Sequence, residues 1–193
     1  MHHRTSLSLS KSSSSSAPFG LAWGARRSDV RGRFPGLRTA AEAEHALVYP
    51  LASVAELIWA QGGFCPAAFL SAPERLGDEI VLNFANEGLQ SVFLRFGYSF
   101  ESIGQDTDTL SDQAMSAHAK SELQQMILEL AVRYGAPSLF TDTPMRDGTL
   151  HVHGCALFAL DDGGAIQIKF GHDGAALAGT VRYQAPAVAK AGF

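Results

Sequence analysis

Apolar and polar residues alternate through "EIVLNFANEGLQSVFLRFG", residues 79–97. Ile80, Leu82 and Phe84 take every second position, "NEG" interrupts, and Val92, Leu94 and Phe96 resume the alternation. Period two on both sides of a turn predicts a β-hairpin. The pattern changes after residue 109. Thr109-x-x-Asp112 provides an N-terminal cap, and Leu123, Ile127, Leu130 and Tyr134 recur on one face until Gly135 and Pro137 stop the run. That spacing predicts a long amphipathic helix.

Period two returns in "DGTLHVHGCALFAL", "AIQIKF" and "ALAGTVRY", which "DDGG" and "GHDG" separate. Three alternating runs joined by glycine turns predict a meander, with a short "SLFTD" strand before it. In its first strand Leu150, Val152, Ala156, Phe158 and Leu160 form the core-facing side. His151, His153 and Cys155 are then expected together on the opposite, half-exposed side.

Ahead of the hairpin, Thr39-x-x-Glu42 reads as a capping box, and Leu47, Leu51, Val54 and Ile58 repeat at helical spacing. Pro50 makes this one kinked helix or two short ones, and Gly62 and Gly63 end it. Pro66 and Pro73 limit any helix in "FCPAAFLSAPERLG" to about one or two turns. The expected class is α+β: an antiparallel sheet of about five strands, made of the hairpin and the meander, with helices on one face. The element order is α-(α)-β-β-α-β-β-β. Roadblock-like and profilin-like sheets and the cystatin-like cone share this order, so the fold alone does not define an activity.

Composition alters the picture mainly at the N-terminus. Residues 1–38 carry seven Lys or Arg and one acid, whereas residues 39–193 carry eight basic and eighteen acidic residues. The first segment is rich in Ser, Gly and Arg and poor in apolar residues, so it is expected to be an unfolded arm. It lacks the apolar centre of a secretory signal peptide. Its composition suits an organellar transit peptide or the leader of a protein secreted into a host, as well as a plain flexible tail. The expected organisation is an arm over 1–38, one domain over 39–184 and a tail over 185–193.

The acidic body is poor ground for nucleic acid, and the longest apolar stretch, "LVYPLASVAELIWA", is too short for a transmembrane helix. Cys65 and Cys155, the only cysteines, suit a soluble protein in a reducing compartment. A protein partner is therefore the expectation, with the oligomeric state open.

Two sets of residues carry candidate chemistry. Two His at i and i+2 on a strand lie about 6.5–7 Å apart at Cα, within reach of one ion. His151, His153 and Cys155 thus form a candidate metal set, and Zn²⁺ is the ion that imidazole and thiolate suit. In the second set, Cys65 follows a glycine turn at the start of a short helical stretch, where the helix N-terminus favours a thiolate. Gln61 stands four residues earlier as an oxyanion donor, His153 supplies a base on a strand, and Asp162 or Asp173, of which Asp173 is preferred, an orienting acid beyond it. The order Cys, His, Asp is similar to that of papain-like and transglutaminase-like hydrolases. Asp106-x-Asp108 and the "GHDG" pair His172 and Asp173 read as solvated loop and turn residues.

No complete catalytic signature is present: there is no phosphate-binding glycine loop, nucleophile elbow or dinucleotide fingerprint. The first expectation is accordingly a non-catalytic protein-binding or regulatory module without a cofactor. A Cys65–His153–Asp173 hydrolase or transferase and a zinc-binding protein are the alternatives.

Overall fold

A computed structural model describes residues 17–34, 41–43, 45–50, 79–86, 88–99, 111–143, 145–147, 150–173 and 176–186. Among the described residues nine antiparallel strands form one sheet: β1 (Ala41–Ala43), β2 (Ala46–Pro50), β3 (Glu79–Ala85), β4 (Gly88–Ser99), β5 (Leu139–Thr141), β6 (Met145–Asp147), β7 (Leu150–Ala159), β8 (Ala165–Asp173) and β9 (Ala176–Gln184). Their spatial order is β1-β2-β3-β4-β9-β8-β7-β5, and β6 also pairs with β7. Two helices are described, α1 (Arg27–Arg33) and α2 (Asp112–Tyr134).

The expected hairpin is β3–β4 and the expected meander is β7–β8–β9; β4 joins them by pairing with β9. Cross-strand partners point to the same face, and the register therefore defines the core. Phe158, Ile166, Tyr183, Val92, Leu82 and Leu47 form one row of paired, buried side chains across six strands. Ala156, Ile168, Val181, Leu94, Ile80 and Tyr49 form the next row. α2 packs over β7 and β8 on this side through Leu123, Met126 and Leu130. Ser111 caps α2 by accepting from Ala114 N at 3.2 Å, and Gly135 ends it at φ +84°.

The sheet is larger than the expected five strands, chiefly because of what flanks the hairpin. Residues 41–43 and 46–50 are strands instead of the first helix. In "ALVYP", Leu47 and Tyr49 alternate with half-buried neighbours, and pairing to β3 fixes that period. The helical spacing that starts at Leu47 competes with this alternation, and tertiary pairing prevails locally. Pro50 is the last residue of its strand, where a missing amide is tolerated. Residues 51–78, which hold the remainder of the expected first helix and the short stretch after it, lie outside the described residues.

Of the segment expected to be an arm, residues 17–34 are described, and these are tied to the sheet. Within 17–34, Ala17, Leu21, Val30 and Phe34 belong to the core cluster. Gly24 N donates to Leu89 O and Leu89 N donates to Ala25 O, each at 2.9 Å, which stitches the segment to the start of β4. Phe34 meets Tyr49 with ring centroids 5.4 Å apart, and Arg27 lies over the Phe84 ring. Its few apolar residues cannot form a core alone, but the hairpin supplies the missing partner surface.

Candidate functional site

The expected two-sided pattern of β7 holds for only half of the strand. Ala156 and Phe158 face the core, paired with Ile168 and Ile166. Val152 pairs with Gly171 whereas Gly154 pairs with Phe170, so His153 is one residue more than β8 can match. This is a β-bulge. It advances the side-chain phase by one position, and His151 enters the core-side row with His172 and Leu177. Val152 is buried but stands outside the core cluster.

Glycines make the bulge sterically feasible. A Cβ at Gly154 would lie 2.5 Å from Leu123 Cδ2 and 3.0 Å from the Thr141 carbonyl oxygen. Opposite the bulge, a side chain at Gly171 would run into the His151–Val152 backbone. Only residues without a Cβ allow α2 and β8 to approach here.

The outcome is a stack of three imidazoles beneath the N-terminal half of α2. His172 stacks on His151 at 5.2 Å between centroids, with planes 10° apart, and on His153 at 4.8 Å and 23°. Ser116 Oγ on α2 lies 3.5 Å from His153 Nε2, with donor and acceptor set by the tautomer. His153 and His172 are both buried, and among the described residues His172 Nδ1 has no hydrogen-bond partner. Burial lowers the pKa of His153 below the ordinary imidazole value, and repulsion from His172, Lys120 and His151 lowers it further. Desolvation and these neighbouring positive charges thus favour the neutral form of His153.

The structure brings together only part of each sequence-derived set. His151 and His153 lie on the helix side. Cys155, a half-buried free thiol, pairs with Lys169 and Thr141 in the adjacent register, on the other face. Parallel stacked rings direct their nitrogen lone pairs along separate planes rather than toward one point. Among the described residues no group of three or more His, Cys, Asp or Glu is arranged to hold a metal ion. Cys65 and Gln61 lie outside the described residues. Asp173 is the last residue of β8 and pairs with Ala176 across the hairpin.

The sequence pattern missed His172, which belongs to β8 rather than to a turn, and Ser116 on α2. The available signal was a glycine inside each strand, Gly154 and Gly171, where an interior glycine marks a bulge or a close approach.

The same bulge divides the edge of the sheet. β5 pairs with residues 155–157 of β7 and β6 with residues 150–152, so the gap between them falls opposite His153 and Gly154. This split edge carries Leu139, Phe140 and Met145, which are 56%, 49% and 41% exposed. Leu128 and Val132 are exposed on the outer side of α2.

Compared with protein-family models, curated proteins and solved structures, the chain finds no match. Among the described residues no helix is long and apolar enough to cross a membrane.

Proposed function

We propose that this protein is a binding module that takes an extended, apolar segment of a partner protein along its β5–β6 edge. The observation that carries the proposal is the exposure of Leu139, Phe140 and Met145 on the outermost strands of a large sheet. Sheet edges normally discourage pairing with charge, proline or cover, because their unpaired backbone groups template another strand. Three large apolar side chains at an edge favour added-strand recognition, in which the backbone supplies affinity and alternate side chains supply specificity. β5 and β6 have three residues each, and the bulge that separates them offers two short pairing sites instead of one long edge. That limits open-ended stacking of copies and suits a short guest segment.

Selection of displayed peptides against the full chain tests the proposal. It expects enrichment of extended, β-prone apolar sequences whose binding is lost in Phe140→Lys and on N-methylation of the peptide backbone. Selection that yields no such sequences, or sequences indifferent to Phe140→Lys in a folded variant, contradicts it. A concentration-dependent dimer abolished by the same substitution would replace the partner segment with a second copy of this chain.

A further inference from the structure

The face of the sheet opposite α2 holds a second, chemically different feature. A cavity of about 330 Å³ opens at the end of β4, β8 and β9, lined by Gln90, Ser91, Ala165, Arg182, Gln184 and Pro186, among others. Its volume is at the lower end of the range for small-ligand pockets, about 300–1,000 Å³. From this cavity we infer a binding site for a small organic acid, with the carboxylate held by Arg182 and Ser91 and the apolar body against Ala165, Ala185 and Pro186.

Arg182 is held in place before any ligand arrives. It pairs in register with Phe93 and Gln167, and its guanidinium lies over the Phe93 ring at 5.1 Å. Its Nε is buried and has no hydrogen-bond partner among the described residues. A buried donor without an acceptor is costly, and an Arg fork matches a carboxylate with two parallel bonds. Ser91, 4% exposed, points the same way: Asn83 Nδ2 donates to its Oγ at 3.2 Å, which leaves the hydroxyl proton to donate elsewhere. Gln90 and Gln184 also line the cavity.

The walls are fixed by backbone pairing. Ala185 N donates to Gln90 O at 2.9 Å and anchors the segment that carries Pro186. In the adjoining turn Asp162 Oδ1 accepts from Gly164 N at 2.8 Å. None of the described lining residues is acidic, so a ligand carboxylate meets donors and no competing anion.

Calorimetric titration of the full chain with sodium benzoate at constant ionic strength tests this site, with sodium phosphate as the anion control. The expected result is saturable benzoate binding, weakened about tenfold or more in Arg182→Gln, as loss of a charged hydrogen-bonding partner implies. Ser91→Ala should weaken it by a smaller factor, and Arg182→Lys should fall between wild type and Arg182→Gln. If Arg182→Gln does not fold, Arg182→Lys and Ser91→Ala decide on the same scale. Absence of saturable benzoate binding, equal affinity in all the folded variants, or phosphate binding as tight as benzoate would each overturn the inference.

Discussion

The two halves of β7 share one expected alternation and have different outcomes. From Cys155 to Ala159 the strand alternates regularly, and Ala156 and Phe158 enter the core as their spacing demands. From His151 to Gly154 one unmatched residue shifts the phase, and polar imidazoles occupy positions that would otherwise be apolar. Periodicity specifies a face only while register is continuous. Beyond a bulge, local glycines and the neighbouring helix decide, and here they collect three histidines beneath α2 and split the sheet edge.

Substitutions that act differently on the two halves test this contrast. The largest effect belongs to the regular half: Phe158→Ala should cost about 3–5 kcal/mol in urea unfolding, because it empties a fully packed position. A cost below that of an exposed-site substitution would remove Phe158 from the core. Gly154→Ala comes next, at about 1–3 kcal/mol, since the new methyl group meets Leu123 and Thr141. If it is neutral or stabilising, α2 does not lie against the bulge.

The pH dependence of stability is the third comparison. Because the folded pKa of His153 is depressed, the unfolded chain binds its proton more readily. Its contribution to stability is therefore complete above the unfolded value, about 6.5. It is lost as pH falls from there through the folded value. Thermal melts between neutral and mildly acid pH should show a loss of Tm that His153→Gln reduces. An identical acid slope in that variant would show that His153 is not desolvated. The smallest effect is expected on the other face, where Cys155→Ser should change stability by no more than about 1 kcal/mol. A larger loss would place Cys155 in the core.

Legibility in the sequence follows the same division. The β3–β4 hairpin, α2 and the meander were readable because each repeats one period between clear turn or cap residues. Residues 17–34 were not, because Leu21, Val30 and Phe34 are too sparse to indicate a fold and gain their meaning from β4 and Tyr49. Strand β2 was obscured because Leu47 fits a helical and an alternating series alike, and only its pairing with Leu82 selects between them. For the candidate site, the conspicuous His-x-His-x-Cys was visible, whereas its separation onto two faces depended on a one-residue bulge. The exposed edge was equally hidden, since exposure of Phe140 depends on its being outside β7 in the strand order.

Nuclear Overhauser contacts of the imidazole protons at neutral pH test the central claim most directly. The bulged arrangement predicts contacts from His172 to both His151 and His153, and from His153 to Ser116 on α2. If His151 and His153 instead contact Cys155 and Lys169 and give no contact to α2, β7 is continuous. In that case neither the imidazole stack nor the split edge exists.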